Sequence, residues 1–259
     1  MAVCNLRAGW YFRASVIAQS LWIGDRLSTM GRLGVQSFLN AGAEYHLYCY
    51  DDVSDVPTGA VLKDAGEILP RDQVFPYKDG FGAGSYSAGS NYFRYKLLLD
   101  RGGWWVDTDI VCLQPFDFAA DSVIAAEQRD RRERGADIGA ASSVIKQPAG
   151  SALMRWAWRA CRERERDSVR WGEVGPRLLD EGVRALGWQD DLAPTQAFSP
   201  VPFYDWQVLI EPERAPSFGA ETYAVHLWHQ MWRAGGVDPD GTFPESCLYE
   251  QLKRHAGLR

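Results

Sequence analysis

The sequence predicts an α/β fold, with a mixed, mostly parallel central sheet and flanking helices. Three observations carry that prediction. A strand, a helix and a second strand succeed one another between residues 15 and 50, the signature of a βαβ unit. A short apolar run, Trp104-Trp105-Val106, follows a Gly-Gly stop and leads into an acidic pair. The chain has 259 residues, 46% of them hydrophobic, which suffices for one large α/β core or two small domains, and a single domain spanning 1–259 is the simpler reading.

The elements follow in order. Ser15 to Ile23 reads as a buried strand ended by Gly24-Asp25. Met30 to Asn40 carries helical spacing, with Gly42 placed as a C-terminal stop, and Glu44 to Tyr50 has the β-rich composition of a second strand. Two strands joined by a helix imply a parallel pair, with a ligand crevice at the strand carboxyl ends, where Asp51 and Asp52 fall. Pro57 to Gly89 reads as a mobile loop over a site: Gly80, Gly82, Gly84 and Gly89 cluster there without the Lys-Ser or Lys-Thr of a phosphate loop.

Asn91 to Arg101 is a helix with Tyr92, Tyr95, Leu98 and Leu99 on one face, Ser90 as its cap and Gly102-Gly103 as its stop. Beyond the acidic pair, Ile110 to Leu113, Ser122 to Ala126 and Ala140 to Ile145 read as strands. Ser151 to Arg166 reads as an amphipathic helix, and Trp171 to Leu186 as a helical stretch broken at Gly175-Pro176. The stretch Thr222 to Trp232 is rich in aromatics and holds two of the four histidines.

Composition excludes several classes. A formal charge of −6 gives no basic field for nucleic acid, and the stretch Arg129 to Arg134 interleaves acids with its arginines, as a solvated turn does. Five scattered cysteines (Cys4, Cys49, Cys112, Cys161, Cys247) without CxxC spacing support neither a disulfide framework nor a zinc site, so a reducing, cytoplasmic setting is expected. The N-terminal region, with Arg7 and Arg13 and only short apolar runs, lacks the pattern of a signal peptide, and no window reaches the ~18 apolar residues of a membrane span. A soluble protein is expected, with any membrane contact peripheral.

The chemistry sits in Asp107-Thr108-Asp109. Two carboxylates one residue apart at a strand end can converge on a divalent cation, and oxygen ligands suit Mg²⁺ or Mn²⁺. Such a cation also binds a diphosphate and neutralises charge on it as it departs. The spacing alone is common in surface turns; its context is not.

That context is the block Ser90-Asn91-Tyr92-Phe93-Arg94-Tyr95, a Leu-rich helix, Gly102-Gly103, Trp104-Trp105-Val106 and Asp107-Thr108-Asp109. It resembles the signature of the Asp-x-Asp sugar transferases, which span capsular-polysaccharide enzymes, fungal α-1,6-mannosyltransferases and α-1,4-galactosyltransferases. The resemblance implies a Rossmann-like glycosyltransferase A fold, a nucleotide-sugar donor (a UDP- or GDP-sugar), a divalent metal, a saccharide or glycolipid acceptor, and retention at the anomeric carbon. It places the donor within about 15–115 and the acceptor side and closing tail within about 116–259.

By the same resemblance, Arg94 contacts donor sugar or phosphate, Trp105 holds the aromatic position before the acidic pair, and Asn91 stands where the family has an Asp that bonds sugar hydroxyls. The amide offers donors as well as an acceptor, which alters the donor groups it can recognise. Leu21-Trp22-Ile23-Gly24 resembles the first-strand ending beside the donor base, where Trp22 either stacks on the base or packs under the sheet. His226 to Trp232 resembles the closing pattern, with Met231 in place of its serine. His226 is then the third metal ligand, with His229 second, or else a core histidine, and Trp232 closes over the donor. Asp51, Asp52 and Glu127 are further polar candidates.

Two other readings compete. Asp107-Thr108-Asp109-Ile110-Val111 also fits the nucleophile motif of haloacid-dehalogenase-like phosphatases, with Asp107 attacking phosphorus and Lys146 and Asp190-Asp191 in support. The aromatic content, 13% of residues, fits a non-catalytic carbohydrate-binding protein.

Overall fold

The computed structural model describes residues 16–129 and 137–258. Cys4, Arg7, Arg13, Ser15 and the stretch from Asp130 to Arg134 lie outside the described residues. Along the chain run β1 (Ile17–Trp22), α1 (Thr29–Asn40), β2 (Glu44–Cys49), β3 (Val61–Asp64), α2 (Ser87–Asp100), β4 (Gly103–Val106) and β5 (Ile110–Cys112). They are followed by β6 (Val123–Gln128), β7 (Ile138–Gln147), α3 (Ala152–Arg162), α4 (Leu178–Ala185), α5 (Thr195–Phe198), β8 (Ala224–His226), α6 (His229–Ala234) and α7 (Leu248–Ala256).

A six-stranded sheet in the order β3-β2-β1-β4-β7-β6 forms the centre. β3, β2, β1 and β4 are parallel to one another, while β7 runs antiparallel to both β4 and β6. The expected mixed, mostly parallel α/β architecture is what the chain adopts. From β1 the chain steps outward to β2 and β3, then α2 carries it back to β4 on the other side of β1. That reversal leaves a crevice at the carboxyl ends of β1 and β4, where open α/β sheets bind ligands. β6 points the same way as β4, so Glu127, near its carboxyl end, faces that end of the sheet.

The inner strands are apolar because both faces are covered. Tyr92, Phe93 and Leu97 of α2, Leu153 and Ala157 of α3, and Leu179 and Val183 of α4 pack with Trp105 and Ile145 in one layer. Val35 and Phe38 of α1 pack with Ala18, Leu47, Trp104 and Val106 in the other. A third cluster joins β5 and β8 to α7 through Val111, Val225, Leu248 and Tyr249. Among the described residues no helix is long and apolar enough to cross a membrane, and Cys49, Cys112, Cys161 and Cys247 are free and buried.

The structure revises several boundaries. The segment 57–89 is not one loop: it contributes β3, which adds to β2 in parallel from His46↔Val61 to Cys49↔Asp64. Alternation in Val61-Leu62-Lys63-Asp64 was too short to register as a strand, and β2 supplies the hydrogen bonds that make it one. Helix α2 begins at Ser87, so Ser90 lies inside it rather than capping it, and its hydroxyl accepts a bond from Arg94 Nη2 at 3.3 Å. Helix α3 does start after Ser151, whose hydroxyl accepts from Met154 N at 3.2 Å, but it ends at Arg162. The Trp171 to Leu186 stretch becomes helical only from Glu173, and its wide first turn at Glu173–Arg177 contains the anticipated break at Gly175-Pro176.

Candidate functional site

The acidic turn is fixed by backbone geometry before any side chain matters. β4 ends at Val106, and Asp107 N donates to Ser143 O of β7 at 2.8 Å. Ile110 N then bonds back to Asp107 O at 3.0 Å, which closes a turn around Thr108 and Asp109. The chain leaves the sheet as β5 and pairs with β8 in the register Ile110↔His226. This pairing, between residues 116 positions apart in sequence, sets His226 beside the acidic turn. Leu227 N donates to Asp109 O at 2.9 Å and holds the register. On the other side α1 presses against the turn: a Cβ on Gly34 would stand 2.3 Å from Thr108 O, so only glycine permits that approach.

Each carboxylate is held. Asp107 Oδ1 accepts from Trp105 Nε1 at 2.8 Å and pairs with Arg94 Nη2 at 2.9 Å. Asp109 Oδ2 accepts from the His229 backbone N–H at 2.9 Å and lies 3.3 Å from His226 Nε2. One ligand atom each from Asp107, Asp109 and His226 lies within 4.8 Å of the others. The other imidazole nitrogen, Nδ1, is buried without a hydrogen-bond partner among the described residues. Two carboxylate oxygens and an imidazole with unused coordinating capacity fit a divalent cation of the Mn²⁺ or Mg²⁺ kind.

Electrostatics agree with that fit. Burial opposes charge on Asp109, but His226 and the backbone N–H of His229 outweigh it and hold the carboxyl well below its usual range. Burial raises Asp107, and repulsion from Asp109 adds to this against the pull of Arg94. Burial disfavours the His226 cation, yet Asp109, Asp107 and Glu127 together raise its pKa. The cluster therefore favours positive charge at its centre. Glu127 is pushed up to about 7, chiefly by burial, against His226 and Arg129.

These residues open into a cleft of about 410 Å³. Trp22, Ile23, Arg94, Trp105, Asp107, Asp109, His226 and His229 all line it, so the structure brings most of the anticipated site residues together. Trp22 packs against the α1-side cluster and also borders the cleft, and its Nε1 donates to Arg26 O at 3.1 Å. Arg94 is only 2% exposed, bonds the Ser142 carbonyl and stacks on Trp105 with its guanidinium carbon 4.8 Å from the ring centre. Its charged partner is Asp107.

Two anticipated residues stand elsewhere. Asn91 is 3% exposed, donates its amide to Ser87 O at 2.8 Å and lies under Gly175, so it does not border the cleft. Trp232 is fully buried among Trp206, Phe243 and Tyr249 and donates to Leu227 O at 2.7 Å. Its helical position on α6 turns it into the core, and the ring that borders the cleft is Trp228. Trp228 stacks on His226 with ring centres 3.7 Å apart and occupies the left-handed region at φ 59°.

Residues that pattern reading did not single out complete the lining: Ser85, Tyr86 and Ser87 before and at the start of α2, Trp171, Gln230 and Arg233. The glycine cluster at 80–84 signalled a loop over a site, and Gly84 does border the cleft, but nothing in the sequence assigned Arg233. The phosphatase reading loses its support here. Lys146 bonds the Phe118 and Ala120 carbonyls, Asp190 and Asp191 lie in a turn after α4, and none of the three lines the cleft.

Comparison with known proteins agrees with the geometry. Residues 44–130 match the family model described as the glycosyltransferase sugar-binding region containing a DXD motif. Lactosylceramide 4-alpha-galactosyltransferase of Gorilla gorilla gorilla and that of Homo sapiens are each 34% identical over 74 residues. Those matches cover 23% of this chain, and 23% and 21% of the two relatives respectively. Among solved structures, the PaToxG glycosyltransferase is 14% identical with a TM-score of 0.48, covering 94% of this chain and 87% of that one. The apo-form glycosyltransferase GlyE of Streptococcus pneumoniae TIGR4 is 15% identical with a TM-score of 0.49, covering 94% of this chain and 60% of that one. Residues 44–130, the part of the sheet that carries Arg94, Asp107 and Asp109, are therefore similar to the sugar-binding region of glycosyltransferases that contains a DXD motif.

Proposed function

We propose that this protein transfers a hexose from a nucleotide-sugar donor to a saccharide or glycolipid acceptor, with a divalent cation at Asp107, Asp109 and His226. The observation that carries the proposal is the convergence of those three side chains at the reversal point of the sheet, inside a cleft, with two of them in the matched family segment. The cation, when bound, neutralises charge on the departing diphosphate. Mn²⁺ suits the imidazole ligand better than Mg²⁺ does.

The chain's own residues orient and exclude. Arg94 and Trp105 fix the rotamer of Asp107, and the His229 N–H fixes Asp109, so both oxygens face the cleft without reorganisation. Trp22 and Ile23, at the end of β1, border the place for the base. Trp228 and Trp171 offer flat apolar faces for a sugar ring and keep water from it. In the reaction the acceptor oxygen bonds the anomeric carbon, the bond from that carbon to the phosphate oxygen breaks, and the departing phosphate takes the acceptor proton. With no protein nucleophile needed, attack from the vacated face retains configuration. On this reading about 15–115 form the nucleotide-sugar-binding half, and about 116–259 supply the acceptor side together with the C-terminal tail that closes on the donor through His226, in a cytoplasmic protein whose membrane contact is peripheral.

The test is a panel of UDP- and GDP-sugars, UDP-galactose among them, with lactose and lactosylceramide as acceptors and Mn²⁺ present. Transfer by the wild type and its loss in Asp109→Ala are expected. Binding of no donor, or transfer undiminished in Asp109→Ala, would overturn the proposal.

A further inference from the structure

The cleft asks for more positive charge than the anticipated residues supply. Apart from its two histidines, the cationic side chains lining it among the described residues are Arg94 and Arg233. Arg94 is committed: one terminal nitrogen bonds the Ser142 carbonyl and the other meets Asp107 and Ser90. At 2% exposure, with both terminal nitrogens engaged, it offers a ligand less than an exposed guanidinium does. Arg233, on α6, is exposed, and its Nη2 donates to Ala83 O at 3.0 Å. That bond crosses from α6 to the glycine-rich loop 80–84, whose Gly84 shares the cleft wall with Arg233. A guanidinium has five donor hydrogens, so one carbonyl leaves most of them for a planar anionic group.

Resting on the nucleotide-sugar reading of the site, we propose that Arg233 is the phosphate-binding cation of this cleft, and that its bond to Ala83 ties capture of a nucleoside diphosphate to the position of the 80–84 loop. Asp107, Asp109 and His226 would hold the diphosphate through the cation, and Arg233, one turn along α6 from the His229 N–H that bonds Asp109, would meet the remaining phosphate oxygens. The same guanidinium keeps the loop against the ligand.

The variants are Arg233→Gln, which can still donate to the Ala83 carbonyl but carries no charge, and Arg233→Lys, which keeps the charge. Affinities for UDP and GDP are measured by calorimetry with Mn²⁺ present, and binding of Mn²⁺ alone by electron paramagnetic resonance. Arg233→Gln should weaken whichever nucleoside diphosphate the wild type binds by about tenfold or more, as expected for loss of a charge-assisted contact. Its binding of Mn²⁺ alone should be unchanged, and Arg233→Lys should recover much of the diphosphate affinity. Diphosphate affinity in Arg233→Gln equal to wild type would reduce Arg233 to a loop tie and overturn the assignment. A wild type that binds neither UDP nor GDP would instead overturn the nucleotide-sugar reading, and the assignment with it.

Discussion

Replacing Arg94 by methionine keeps the aliphatic volume of the side chain and removes a guanidinium that is bonded through both terminal nitrogens. Asp107 would be left with Trp105 Nε1 as its side-chain partner, and the buried Ser142 carbonyl would lose a donor. Removing one member of a buried ion pair costs about 3–5 kcal/mol, because the remaining charge stays desolvated. The Asp107 side chain is 25% exposed, so water relieves part of this and the lower end, ~3 kcal/mol, applies. That is a large share of the 5–15 kcal/mol typical of a folded protein, roughly. In an Asp107→Asn background the stranded charge is gone, and the same Arg94→Met change should cost about 1–2 kcal/mol less. Urea unfolding of the four metal-free proteins measures this coupling. A coupling below about 0.5 kcal/mol would refute the view that Arg94 works by positioning Asp107, and would return it to direct contact with the donor.

Gly34→Ala should push the helix off the acidic turn, since the new Cβ would stand 2.3 Å from Thr108 O. A stability loss of about 1–3 kcal/mol and weaker Mn²⁺ binding are expected, and unchanged Mn²⁺ affinity would show that α1 does not set the turn. His226→Ala should weaken Mn²⁺ by at least about tenfold while leaving Trp228 in place, and equal metal affinity would make His226 a packing residue. Glu127 has a folded pKa of about 7 against an ordinary 4.5, so the folded state holds an extra proton between those values. Its stabilising contribution is therefore full below the ordinary value and lost as pH rises through about 7. The full shift corresponds to about 3 kcal/mol, and partial exposure reduces it to ~1–2 kcal/mol. Metal-free wild type should thus lose that much stability relative to Glu127→Gln between pH 5 and pH 8, and a flat difference would mean that Glu127 is solvated.

The sequence by itself determined the elements whose own residues carry a complete signal. The βαβ unit at 15–50 was legible because hydrophobic period and turn residues agree locally, as they do in α3 after Ser151. The acidic pair was legible from its block of Arg94, Gly102-Gly103 and Trp105, all of which lie within about fifteen residues of it. β3 was not legible, because a four-residue strand owes its existence to the hydrogen bonds of β2 rather than to its own composition.

Tertiary structure alone decided which side chains face the cleft. Asn91, Arg94 and Trp232 carry the family pattern by spacing, yet their directions depend on what packs around each helix. Gly175 sits against Asn91, Asp107 and Ser142 occupy Arg94, and Trp206, Phe243 and Tyr249 enclose Trp232. His226 reaches the acidic pair only because β8 pairs with β5 in one register, a contact between distant segments that no local pattern encodes. Trp228 and Arg233 enter the site for the same reason: the turn after β8 and the rotation of α6 aim them at the cleft, and both are set by the β5–β8 pairing and by burial of Trp232 beneath them. A one-residue slip of that pairing would send His226 to the opposite face and dissolve the three-ligand cluster.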